Sequence, residues 1–256
     1  MNRLAAAIAA ADHTRGPGAR GGTGPWKEWH HFVVFAGGLE LVVNLSVGQD
    51  TRAGGEGLLG RVVTLWRAGG AWHGDVAQHA VDAVPAGRVA LEVGRARLGW
   101  DGEAYTLRVP EGPIQVDLRL RPETAPALST QVPFGGAARV DWLVVPRLRV
   151  AGSVVVDGQA RDLRGGLAYH DHNWGRFRWG DDFAWEWGFV LPDDPADPHA
   201  IVFTRLLDRR RRRVRSQGLF LWEGQQQNRM FVDRQLRFSP SGPPPTGRPC
   251  DLPPVM

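Results

Sequence analysis

At 256 residues the chain can bury a sizeable core, as one large domain or two small ones. No run approaches the ~20 apolar residues of a helical membrane span, and a single cysteine, Cys250, excludes a disulfide framework. The net charge of +4 is carried mainly by arginine, and the aromatic balance is unusual: eleven Trp against two Tyr.

Met1–Ala11 is Ala-rich, with Leu4 and Ile8 its only large apolar residues. That is too weak an apolar core for a signal peptide. The expectation is a frayed short helix on a cytoplasmic protein, compatible with peripheral membrane contact. Asp12–Pro25 is rich in Gly and turn formers, so residues 1–25 read as a flexible leader.

From Trp29 the hydrophobic period becomes two. Trp29–Phe35 and Leu39–Val47 flank Ala36-Gly37-Gly38, a hairpin signal. Leu59–Arg67, Ala71–Val81, Arg88–Val93, Arg95–Trp100, Ala104–Val109 and Ile114–Arg121 follow as strands. Pro122–Gly136 reads as a long loop, a lid or rim. Ala138–Val145 and Leu148–Val156 resume the strands; Phe183–Leu191, Ala200–Leu207, Val214–Trp222 and Met230–Phe238 complete them. Ser239 onward is a Pro-rich tail that cannot pair in a central strand. Many short strands with frequent turns predict an all-β barrel or sandwich. Arg209–Arg213 lies between two alternating runs, so it reads as a solvated hairpin tip, and no nucleic-acid partner is expected.

The chemistry concentrates in Tyr169–His170–Asp171–His172–Asn173–Trp174–Gly175. Extended, it puts Tyr169, Asp171 and Asn173 on one side and His170, His172 and Trp174 on the other. Asp171 reads in two ways: a general acid that burial keeps protonated, or a structural Asp bonded where two sheets meet. His170 and His172 share a face and could chelate a metal, but need a third ligand. His73, Asp75, His79 and the His30-His31 pair are the candidates, none at diagnostic spacing, so no metal is expected. The two histidines read instead as groups that orient Asp171, bond a substrate oxygen, or pack in the core. Trp174, Trp179, Trp185 and Trp187 are either core or an apolar, π-rich wall for a polyene or a developing cation. Glu186, Glu28 and Trp29 are further candidates at a substrate site. Gly-x-Ser-x-Gly, phosphate-loop and dinucleotide fingerprints are absent, and no cofactor is expected.

The heptapeptide, with Val150, Gly152, Val154, Val156 and Gly158 before it, resembles that of the carotenoid hydratase (hydroxyneurosporene synthase) family. That family belongs with the wider AttH-type lipocalin-like group, which includes tocopherol cyclases and decalin-forming cyclases (Diels-Alderases). Trp26, Glu28, Trp29 and Phe32 are similar to the opening motif of those proteins, and Phe183–Gly188 to the Trp-x-Trp strand after the heptapeptide. The resemblance implies a lipocalin-like barrel over residues 26–178 and an incomplete second lipocalin-like domain over 179–238, before the tail at 239–256. An open second sheet favours a homo-oligomer. It also implies a hydratase or cyclase of a hydrophobic isoprenoid or polyene substrate, in carotenoid or related biosynthesis. Asp171 would be the proton donor, with Tyr169 and Asn173 positioning it or the incoming water. The alternatives are a lipophilic-ligand carrier without chemistry and a pericyclic cyclase in which Asp171 only anchors.

Overall fold

The computed structural model describes residues 3–18, 24–49, 57–135, 138–178, 182–194 and 196–238; Trp179, Cys250 and the Pro-rich tail lie outside them. A single helix, α1 (Arg3–Ala11), precedes the strands. Four long hairpin strands come first: β1 (Trp26–Ala36), β2 (Leu39–Gln49), β3 (Leu58–Ala68) and β4 (Ala71–Val81). Gly37 and Gly38 both take positive φ, 58° and 74°, which the tight β1–β2 turn requires. Shorter strands follow as β5 (Leu91–Val93), β6 (Ala96–Trp100), β7 (Tyr105–Val109) and β8 (Ile114–Pro122). Then come β9 (Ala127–Gly135), β10 (Ala138–Val156), β11 (Gln159–Asp162) and β12 (Leu167–Arg176).

These strands form one antiparallel sheet in the order β4-β3-β2-β1-β12-β10-β8-β7-β6-β5, with β9 and β11 also paired to β10. The sheet curls until β5 returns against β3 and β4, giving a nearly closed barrel. Its interior is filled by alternate residues, among them Phe32, Val34, Leu41, Val43, Leu45, Leu107 and Leu118. Burying each such side chain is worth ~1.5–3 kcal/mol.

A second, smaller sheet runs β13 (Phe183–Val190), β14 (His199–Asp208), β15 (Val214–Glu223) and β16 (Gln226–Val232). It packs on the outer face of β1, β12 and β10, where Val202, Phe220 and Trp222 meet Val33, Tyr169, Trp142 and Val144. Trp222 also donates to the Ala125 carbonyl at 2.9 Å. The fold is thus all-β, as the period-two runs predict, and lipocalin-like, as the resemblance implies.

Three local expectations are corrected. The segment through Gly18 is not a loose leader: α1 buries Leu4 and Ile8 in the barrel core, and Asp12 and Thr14 are fully buried behind it. The presumed loop after Pro122 contains β9, whose period is broken by Gln131 at φ 53° and by register shifts against β10. The two strands expected either side of Pro146 are one, β10, with an irregularity between Val145 and Leu148. No helix among the described residues is long and apolar enough to cross a membrane.

Candidate functional site

β12 carries the heptapeptide as a central strand, paired to β1 on one side and β10 on the other. Leu167 through Gly175 are all buried, because the barrel core lies on one face and the second sheet on the other. The strand pleat therefore sends its chemistry in two directions.

The inward face holds a closed ionic cluster. His172 contacts Asp12 Oδ1 through Nδ1 (2.6 Å) and Glu28 Oε1 through Nε2 (2.7 Å). His170 donates from Nδ1 to the His31 carbonyl (3.0 Å), while its Nε2 lies 2.9 Å from Asp12 Oδ2. The Tyr105 hydroxyl donates to Asp12 Oδ2 at 2.5 Å. Backbone N–H groups of Arg15 and Gly16 donate to the two Glu28 oxygens at 2.8 and 2.9 Å. Asp12, Glu28, His30, His170 and His172 are each fully buried. Burial alone would lower the His172 pKa, but the two carboxylates bonded to it outweigh that and push it up to about 9. Burial likewise opposes ionisation of Asp12, yet the two histidines hold its carboxyl well below the usual range. His30 stacks on His172 at 3.8 Å between centroids, and neither of its ring nitrogens has a hydrogen-bond partner. Burial, with His172 alongside, presses its pKa well below the ordinary value and keeps it neutral.

The outward face holds Tyr169, Asp171 and Asn173 beneath the second sheet. Asn173 Nδ2 donates to Asp171 Oδ1 at 2.5 Å, leaving its own Oδ1 unpartnered. The Tyr169 hydroxyl lies beside the Asp171 carboxyl and interacts with it. His31 stands opposite Asp171 on β1. Burial raises the Asp171 pKa, and His31, His170, Tyr169 and Asn173 only partly pull it back. Burial also lowers that of His31 against the opposing charge of Asp171. The Tyr169 ring is stacked on Phe189 (4.2 Å) and Trp187 (5.5 Å), and Trp187 meets His31 edge-on at 5.6 Å. A groove of about 370 Å³ lined by Phe35, Leu167, Phe189 and Leu191 opens beside this stack.

The residues named from sequence are thus divided between several places. Tyr169, Asp171 and Asn173 share the outward face of β12, where Trp187 stacks on Tyr169. His170 and His172 do not orient Asp171; they serve Asp12. Glu28 is inside the barrel with them, and Trp174 lies against His172 at 4.6 Å with the Arg15 guanidinium 4.4 Å from its ring. Trp29 and Trp185 pack edge-on at 6.4 Å in the inter-sheet core, and Trp185 donates to Thr204 Oγ1. Glu186 faces away from Asp171, paired with Arg205 at 2.9 Å and Arg211 at 3.6 Å. Sequence reasoning missed Asp12 and Tyr105. The Leu4–Ile8 spacing, one helical turn apart on one face, was the available sign that the segment before Asp12 docks. A third potential ligand beside His172, absent from the sequence candidates, is Asp12: with His30 and His172 it offers ligand atoms within 4.8 Å of one another.

No protein-family model matches the sequence, and no curated protein shows significant similarity to it. Solved structures do share the fold. An AttH-type protein from Nitrosomonas europaea superposes with a TM-score of 0.59 at 14% identity, over 77% of this chain and 64% of that one. Kievitone hydratase from Nectria haematococca gives 0.53 at 14% identity, over 86% and 70%. CghA gives 0.55 at 12% identity, over 80% and 59%. At these identities the likeness establishes the fold alone. The chain spans 64% of the length of the AttH-type protein.

Proposed function

We propose that the chain is a hydratase or cyclase acting on a hydrophobic substrate, with Asp171 as its proton donor. The observation that carries this is a buried carboxyl between the Tyr169 hydroxyl and Asn173, whose Oδ1 is buried without a partner, under a wall of Trp187 and Phe189. Buried polar groups without partners in a folded protein are uncommon and mark places where something else binds. The apolar groove beside the ring stack suits an alkene-bearing chain, for which a linear isoprenoid or polyene is the proposed class. One of the solved relatives by fold is a hydratase, which supports the reaction class.

In this reading the Asp171 carboxyl gives its proton to one alkene carbon, and the electron pair of the double bond forms the new C–H bond. The face of the Trp187 indole stabilises the cation left on the other carbon. A water held by Tyr169 and Asn173 then forms the C–O bond and returns a proton to the Asp171 carboxylate, or an internal double bond closes a ring and a proton is lost to the same group. Asp171→Asn keeps the shape and removes the acid. Turnover of linear isoprenoid polyenes should fall by ~10²–10⁴, while quenching of tryptophan fluorescence by the same compounds should change little. Quenching in both proteins with no turnover in either would make the chain a carrier. Turnover retained in Asp171→Asn would leave Asp171 as an anchor for a pericyclic closure.

A further inference from the structure

We infer that the barrel interior holds a binding site for one divalent first-row transition ion, ligated by Asp12, His30 and His172. The site lies on the opposite face of β12 from Asp171 and does not depend on the role of that residue. Two imidazoles and a carboxylate offer ligand atoms within 4.8 Å of one another, all from fully buried side chains. Two histidines with one carboxylate suit zinc, iron(II), manganese or cobalt(II), not the all-oxygen preference of calcium or magnesium.

His30 is the independent observation. It is an imidazole with no exposed surface whose two ring nitrogens both lack a hydrogen-bond partner, and a neutral ring in that position forfeits its hydrogen bonds unless it coordinates something. Its Nδ1 is 4.0 Å from Asp12 Oδ1, and His172 Nδ1 is 2.6 Å from the same oxygen. Donors ~2.1 Å from a tetrahedral ion stand ~3.4 Å apart, so the His30 gap closes by ~0.6 Å and the His172 gap opens by ~0.8 Å. The ion would take the place of the proton between His172 Nδ1 and Asp12 Oδ1, and the two stacked rings would turn to aim their nitrogens at it.

The surrounding partners fit ligation as well. The other nitrogen of His172 is held by Glu28 at 2.7 Å, the carboxylate–histidine arrangement that fixes ring orientation at metal centres. The other oxygen of Asp12 is already held by His170 at 2.9 Å and by Tyr105 at 2.5 Å. A cleft of about 500 Å³, lined by Thr14, Arg15 and Trp174, lies on the side where Trp174 touches His172. An ion here would join the N-terminal segment, β1 and β12, and so stiffen the strand whose other face carries Asp171.

The test uses the full chain, stripped with chelator, dialysed and titrated with cobalt(II) and then zinc(II). The expected result is one equivalent per chain, visible cobalt bands of a low-coordinate site, and a raised melting temperature. His30→Gln and Asp12→Asn should each abolish these while retaining a strand-dominated circular dichroism spectrum. His73→Gln with His79→Gln, an exposed and a half-buried histidine on β4, should leave them intact. Should the buried variants fail to fold, X-ray absorption of the zinc-loaded wild-type protein decides the matter. Two imidazoles with oxygen donors support the site. Scattering without imidazole, absence of bound ion, or an equivalent retained in folded His30→Gln overturns it.

Discussion

The second sheet is fastened over Asp171 by a buried cation, and Glu123→Gln should loosen that fastening measurably. Arg147 is only 4% exposed; its Nε lies 3.0 Å from Glu123 Oε2, and its terminal nitrogen donates to the carbonyls of Asp197 and His199 at the start of β14. Arg149 makes two further bonds to the same carboxylate, at 3.0 and 3.1 Å. Burial alone would raise the Glu123 pKa, but the hydrogen bonds from Arg149 and Arg147 hold it below the usual range. Gln keeps the shape and leaves the buried Arg147 guanidinium without its carboxylate. Stranding a fully buried partner costs ~3–5 kcal/mol. Glu123 and Arg149 remain 20% and 27% exposed and Arg147 keeps its carbonyl partners, so about 2 kcal/mol is expected. With a urea m-value of ~2–3 kcal/mol/M, the unfolding midpoint should fall by ~0.7–1 M at pH 7. A depressed carboxylate pKa contributes stability that is present above the unfolded value of ~4.3 and lost as pH falls through the folded one. The gap between wild type and variant should therefore close below pH ~4. A loss under ~0.5 kcal/mol, the scale of an exposed pair, or a loss independent of pH, would refute the clamp.

Tyr169→Phe removes the hydroxyl beside Asp171, so stability should fall by no more than ~1.5 kcal/mol, one hydrogen bond, while turnover falls; unchanged turnover would make Tyr169 a packing residue. Gly175→Ala places a Cβ 2.2 Å from the Arg139 carbonyl oxygen and 3.1 Å from Val140 Cα, across the β12–β10 ladder. It should cost more than ~2 kcal/mol by urea unfolding, and a variant as stable as wild type would contradict that register.

Much of the barrel was legible because both of its faces are sided: Ile114, Val116, Leu118 and Leu120 alternate strictly with exposed Gln115, Asp117, Arg119 and Arg121, and β8 follows that pattern residue for residue. β9 was not legible, since a left-handed Gln131 and shifted pairing erase the period. The two faces of the heptapeptide followed from the pleat alone. What each face would meet did not, because the partners of His170 and His172 lie about 160 residues away in sequence, in a segment whose Gly-rich continuation reads as loose. An Asp-His-Thr run after an Ala-rich helix carries no periodic signal, and only the docking of Leu4 and Ile8 brings Asp12 into the barrel. The tryptophans failed as a set for a related reason. Alternation shows which residues share a face, but Trp185 and Trp187 share one and still divide, one to the inter-sheet core and one to the Tyr169 stack.

The central claim is that Asp171 moves a proton to carbon, and reaction in deuterated water tests it most directly. Wild-type protein is incubated with a linear isoprenoid polyene that it converts, the hydroxyl is exchanged back to protium, and the product is examined by mass spectrometry and NMR. The account predicts one carbon-bound deuterium at the position adjacent to the new C–O or C–C bond, and a rate that declines on the alkaline side as the Asp171 carboxyl ionises. A product formed at full rate without carbon-bound deuterium would contradict it.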